Sequence, residues 1–225
     1  MKLYWIKTNK LIKKIFSNYI WDIPNVENKI YLTFDDGPTT EITEWVLEQL
    51  KKHEAKATFF CIGKNIHNHQ DVFLKIINEG HSIGNHTQNH LKGWNTSKEE
   101  YLDNIALCKS EISNLNCFGS SLSLGSAICN LQSPLFRPPY GKINRSQSKR
   151  LQQLGYKIIM WDVLSADFDQ TITPEKCLEN VIQNVQSGSI IVFHDSVKAF
   201  KNLEYALPRT LEILKQRGFI FEAIE

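Results

Sequence analysis

The chain has no apolar run approaching the length of a membrane span, and lysines at Lys7, Lys10, Lys13 and Lys14 deny its first segment the apolar heart of a cleavable export signal. It has no CxxC pair. Its five cysteines (Cys61, Cys108, Cys117, Cys129 and Cys177) are scattered and odd in number, which argues against a disulfide framework or a zinc-finger pattern and favours a reducing compartment. There is no charge excess either. With 26 basic and 24 acidic residues, the chain has neither the basic field that attracts nucleic acid nor an acidic surface. These absences leave an ordinary globular chain, expected in the cytoplasm or at the periphery of a membrane, and expected to act as a monomer.

Of the 225 residues, 42% are hydrophobic and 22% charged, enough for one large core and a natural fit to a single α/β barrel. β-Branched and aromatic runs predict strands over 29–34, 57–61, 82–84, 135–137, 156–161, 189–193 and 219–222. Between them, the apolar spacing predicts helices over 42–53, 71–79, 98–113, 146–154, 174–186 and 203–217, with Pro174 suited to a first turn. Gly80, Gly155 and Gly218 each follow a helical pattern and precede a strand, as C-terminal caps do. Such alternation predicts a parallel sheet covered by helices, a barrel of seven strands rather than eight. Residues 1–24 read as a basic amphipathic helix and linker ahead of a catalytic unit over 25–225. In that helix Tyr4, Trp5, Leu11, Ile12, Ile15, Phe16, Tyr19 and Ile20 form a stripe, with the lysines largely opposite. Such a stripe suits either packing on the barrel or contact of residues 1–21 with an anionic membrane. The uncharged stretch 112–136 breaks the rhythm and reads as a lid, a mobile loop or a part-buried hairpin, within which Cys117 and Cys129 could approach each other.

The chemistry-bearing residues fall at strand ends. Thr33-Phe34-Asp35-Asp36-Gly37-Pro38 sets two adjacent carboxylates where an apolar run stops abruptly, the place at which α/β proteins keep their chemistry. Alone, such a pair also suits a hairpin or a helix cap. His86-Thr87-Gln88-Asn89-His90 offers two imidazoles at i and i+4, which on a helical turn reach one ion. With one carboxylate they make a three-ligand set for zinc, cobalt or nickel. In Phe136-Arg137-Pro138-Pro139-Tyr140-Gly141, two prolines stiffen the chain around Arg137 and the Tyr140 amide, and an Arg there could grip a carboxylate by two prongs. Trp161-Asp162-Val163-Leu164-Ser165-Ala166-Asp167-Phe168 and Ile190-Ile191-Val192-Phe193-His194-Asp195 place further titratable groups beyond strands.

Taken together in this order, TFDDGP, HTxxH and RPPYG resemble the polysaccharide deacetylases, the NodB-homology carbohydrate esterases, over residues 29–221. The resemblance implies a distorted (β/α)7-type barrel with a divalent metal, zinc first and cobalt or nickel next, at the rim formed by the strands' C-terminal ends. It implies Asp36, His86 and His90 as metal ligands, Asp35 as the general base and Arg137 as the residue orienting it. It further implies the Tyr140 amide as an oxyanion donor and His194 as the general acid tuned by Asp167, a choice over Asp162 that rests on the spacing of Asp167-Phe168. Tyr140, Phe168, Val192 and Trp161 are the expected substrate-binding residues. Phe168 stands where the family usually has Trp and Val192 where it has Leu, both still apolar. The segment before RPPYG is longer than the family norm.

The activity this implies is removal of N-acetyl groups from GlcNAc units of a glycan such as peptidoglycan, a chitin-like oligomer or poly-GlcNAc. An O-acetyl esterase of the xylan type and a catalytically silent glycan-binding barrel are the alternatives. Amide hydrolysis needs an activated water, stabilisation of a developing oxyanion and a proton for the leaving nitrogen, and these clusters could supply all three.

Overall fold

The structure, a computed structural model, describes residues 4–118 and 134–225. Its strands are β1 (Lys29–Asp35), β2 (Ala57–Cys61), β3 (Ser82–Asn85), β4 (Leu135–Phe136), β5 (Lys157–Ile158), β6 (Val163–Leu164), β7 (Ile190–His194) and β8 (Ile220–Phe221). They pair in parallel in the order β5-β4-β3-β2-β1-β7-β6, with β8 added beside the start of β1. The helices are α1 (Lys10–Ile15), α2 (Ile42–Lys52), α3 (Gly63–Asn68), α4 (Gln70–Asn78), α5 (Lys98–Phe118), α6 (Arg145–Gln153), α7 (Pro174–Ile182) and α8 (Phe200–Gln216). Pro174 opens α7, whose cap Thr173 accepts the Lys176 amide. The helices α4, α6 and α8 are followed by Gly80, Gly155 and Gly218 in left-handed conformation, as their spacing predicts.

Alternation along β1 divides the core. Ile30, Leu32 and Phe34 face outward, and with Phe59 and Phe193 they meet the apolar sides of the covering helices at Val46, Leu50, Leu203 and Leu207. Tyr31 faces inward and packs with Phe60, Leu135, Ile159, Ile190 and Ile224 at the floor of the barrel. Thr33 and Asp35 follow on the same inward face. The register sets Thr33 opposite Val192 and Asp35 opposite His194, so the polar groups climb from an apolar floor to the C-terminal mouth.

The barrel closes along an unusual seam. Residues 157–164 begin as β5, paired with β4, and end as β6, paired with β7. The single strand expected over 156–161 is therefore two short ones, because the chain leaves one partner to reach the other. Their outer edges are taken by the N-terminal arm. Ile20 pairs with Ile159, its amide bonding the Ile158 carbonyl at 2.9 Å. Lys7 pairs antiparallel with Val163, and the Leu164 amide bonds the Ile6 carbonyl at 2.9 Å. Helical backbone in the arm covers only Lys10–Ile15, not the long stripe expected, since the residues on either side spend their hydrogen bonds on the barrel. The helix α3 is a further element that the apolar spacing does not announce, and α5 runs on to Phe118 through the first part of the uncharged stretch. The rest of that stretch before Pro134, and the pairing of Cys117 with Cys129, lie outside the described residues. Cys61, Cys108 and Cys177 are buried free thiols.

Candidate active site

The two adjacent carboxylates face different surroundings. Asp35 ends the inward face of β1 and is 4% exposed. Asp36 takes a left-handed backbone (φ 81°), which Asp tolerates better than most residues and which turns the second carboxylate away from the first. Asp35 Oδ1 accepts a 2.7 Å hydrogen bond from Nη1 of Arg137, a guanidinium with no exposed surface. The grip is single rather than two-pronged, because the other guanidinium nitrogens are committed elsewhere. Nε donates to the Ile159 carbonyl at 3.2 Å and Nη2 to the Met160 carbonyl at 2.9 Å, while Nη1 also reaches Thr33 Oγ1 at 2.6 Å. Arg137 thus ties Asp35 to the seam, with its Cζ 4.1 Å from the centre of the Phe60 ring.

His86 and His90 both meet Asp36, though not from a helical turn. After β3 the chain is irregular, with Thr87 and His90 at φ 67° and 56°. Side chains replace the missing helical carbonyls: Asn85 Oδ1 accepts the Thr87 amide at 2.9 Å, and Asn104 Oδ1 accepts those of Gln88 and Asn89 at 2.9 and 3.0 Å. His86 Nδ1 lies 2.8 Å from the Arg137 carbonyl, which only accepts, so Nδ1 carries the proton and Nε2 is left with its lone pair. Burial holds the His86 pKa down at about 4, keeping the ring neutral. From Asp36 Oδ1, Nε2 of His90 is 3.2 Å away and Nε2 of His86 is 3.6 Å away. Burial alone would raise the Asp36 carboxyl, yet His90, His194 and His86 around it hold it well below the usual carboxylate range. That Oδ1 is buried and makes no hydrogen bond among the described residues, and one ligand atom from each of the three side chains lies within 4.8 Å of the others. Two imidazole nitrogens and an unbonded carboxylate oxygen converging in this way fit a divalent cation.

Across the mouth, Asp167 holds His194 twice, by Nδ1 at 2.8 Å and by the backbone amide at 2.7 Å. Burial opposes charge on the ring, but Asp167, helped by Asp36 and Asp35, outweighs it and pushes the His194 pKa up to about 9. Asp162 is elsewhere, bonded to Lys7, Lys13 and Ser189. Asn202, from α8, donates to the Asp167 carbonyl at 3.0 Å and steadies that loop.

The expected substrate-binding residues reach the mouth unequally. Tyr140 is 61% exposed, its ring centre 4.6 Å from that of His90 and its backbone left-handed (φ 60°). Phe168 sets its edge against His194 at 5.1 Å. Trp161 is half-buried behind them against Gly141, where a Cβ would come within 2.6 Å of the indole, so glycine is required. Val192 is buried two residues below His194 on the inward face of β7.

Sequence reasoning missed the work of Asp195. Its buried carboxylate accepts the Gly37 amide at 3.1 Å and the Thr43 hydroxyl at 2.5 Å, and its own amide reaches the Asp35 carbonyl at 3.2 Å. It therefore ties the turn carrying Asp35 and Asp36 to the strand end carrying His194. Its position directly after His194 was the available signal.

Known proteins are similar to this chain in sequence and in fold. A peptidoglycan-N-acetylglucosamine deacetylase of Bacillus cereus (strain ATCC 14579) is 33% identical over 91% of this chain and 90% of its own. Chitin deacetylase 2 of Saccharomyces cerevisiae is 34% identical over 76% of this chain and 51% of its own. Among solved structures, the Bc1960 peptidoglycan N-acetylglucosamine deacetylase superposes with a TM-score of 0.82, at 29% identity over 96% of this chain and 95% of the other. The family model for polysaccharide deacetylases matches residues 22–159, a span that runs from the Asp pair through both histidines to Arg137 and Tyr140. With that match and that relative, the chain belongs to the polysaccharide deacetylase family.

Proposed function

We propose that the chain is a metal-dependent hydrolase that removes N-acetyl groups from GlcNAc units of a glycan, releasing acetate. The observation that carries this reading is the division of labour between neighbours: Asp35 sits on Arg137, while Asp36 turns to two imidazoles. Asp36, His86 and His90 would hold a divalent cation, zinc in this reading, which when bound would supply Lewis-acid polarisation. Asp35, kept off the cation and aligned by Arg137, takes the proton of the attacking water. The Tyr140 amide donates to the oxyanion as it develops. Because Asp167 occupies Nδ1 of His194, the proton passed to the leaving nitrogen comes from Nε2. Phe168, Val192, Trp161 and the Tyr140 ring line the place of the acetylated sugar.

The proposed site needs no residue from a second copy, and the enzyme is a monomer in this reading. Residues 25–225 form the catalytic unit in this reading and residues 1–24 an accessory arm. No helix among the described residues is long and apolar enough to cross a membrane.

Acetate release from GlcNAc oligomers, measured after chelation and again after zinc or cobalt is restored, tests the reading. Activity lost and regained is the expected result. Silence with metal bound would point to an O-acetylated sugar, and silence with no metal bound to a glycan-binding barrel.

A further inference from the structure

The N-terminal arm carries two kinds of lysine. Lys7 and Lys13 turn inward, each with its Nζ 2.5 Å from the buried carboxylate of Asp162, and Lys13 also pairs with Asp22. Lys10 and Lys14 are exposed. Helical spacing places Ile12 and Lys13 on the barrel side of α1, and Lys10, Leu11, Lys14 and Ile15 together on the other side. Burial agrees, since Leu11 is 63% and Ile15 is 61% exposed while Ile12 and Lys13 are half-buried. Trp5, 63% exposed, and Phe16, 42% exposed, precede and follow this ridge along the chain. Residues 1–21 contain five lysines and no aspartate or glutamate.

An apolar ridge of this kind needs an occupant, and the charges select one. In a symmetric pairing with a second copy, Lys10 and Lys14 would face their own counterparts with no carboxylate in residues 1–21 to offset them, and Asp22 is already paired with Lys13. A surface dense in phosphate satisfies both features, with lysines at the headgroups and apolar and aromatic side chains at the acyl boundary. We propose that this face of the arm docks the protein on an anionic lipid bilayer. The inward lysines fasten the arm to the barrel, so docking carries the whole domain. Tyr4, at the arm's near end, meets Phe168 edge-on at 5.5 Å, and Phe168 meets His194, so the docked arm adjoins the rim of the mouth.

Co-sedimentation of the full chain with phosphatidylglycerol–phosphatidylcholine vesicles, against phosphatidylcholine alone, tests this. The expected result is binding to the anionic vesicles only. Lys10→Glu with Lys14→Glu should weaken it about 25-fold or more, some fivefold per lysine lost. Leu11→Ser with Ile15→Ser should weaken it at least about tenfold. Melting temperature and turnover of soluble GlcNAc oligomers should hold in both variants, which separates loss of docking from loss of fold or of the active site. Equal binding to both vesicle types, binding to neither, or unchanged binding by the variants would overturn the proposal. So would a dimer in sedimentation equilibrium that the ridge substitutions dissolve, since the face would then belong to a second copy.

Discussion

The carboxylate of Asp195 fills the space beside Gly37 that any larger residue would need: a Cβ on Gly37 would fall 2.0 Å from Asp195 Oδ2. The two also share a hydrogen bond, from the Gly37 amide to Oδ1 at 3.1 Å. Burial, with Asp36 adding to it and the Thr43 and Gly37 donors working against it, pushes the Asp195 pKa up to about 8. A carboxyl raised on folding contributes stability below its unfolded value near 4, and that contribution fades as pH climbs towards 8. Asp195→Asn, a fixed mimic of the protonated form, should therefore gain stability relative to the parent as pH rises. Melting of the metal-free proteins at pH 5 and pH 8.5 checks this, and a constant difference between them would count against it.

Asp36 and Asp35 should fail in different ways. Asp36→Ala removes the carboxylate from the convergent set and should abolish zinc uptake, read by elemental analysis of the purified protein. Asp35→Asn should keep the metal and lose turnover by about 10²-fold or more. An active, metal-loaded Asp35→Asn protein would sink the assignment of the base.

His194 owes its raised pKa to Asp167, against the pull of burial. Asp167→Asn removes the larger raising influence, so the His194 pKa should fall and the alkaline limb of the pH–rate profile should move to lower pH. Turnover at pH 8 should drop further than turnover at pH 6. Parallel loss at both would show that Asp167 acts on the fold of the loop and not on the proton.

Tyr140 separates backbone from side chain. Its φ of 60° suits glycine better than tyrosine, and its amide survives substitution. Tyr140→Gly should raise stability by about 1 kcal/mol, retain kcat within about threefold and raise KM through loss of the ring against His90. A collapse of kcat would place the phenol, not the amide, in the chemistry.

Much of this arrangement was legible because it is local. The apolar run before Asp35, the prolines after Arg137 and the step from Asp167 to Phe168 each predict a neighbourhood within a few residues, and the observed strands β1, β2 and β7 follow. What escaped depends on distant partners. The turn between His86 and His90 departs from helix because Asn104, from α5, satisfies its amides. Residues 157–164 divide into two strands because β4 lies on one side and β7 on the other. Arg137 grips Asp35 singly because carbonyls at Ile159 and Met160 claim its remaining nitrogens. None of these partners is near in the chain, so no periodicity records them.

The seating of the arm on Asp162 has a consequence in time. Lys13 and Lys7 lie 149 and 155 residues ahead of that carboxylate. In synthesis the arm emerges well ahead of Asp162 and finds that partner only after most of the barrel has been made, on the order of ten seconds later at ordinary elongation rates. A segment made before the barrel is thus fastened only when the barrel is nearly complete. Until then, its lysines and apolar side chains face whatever surrounds the ribosome.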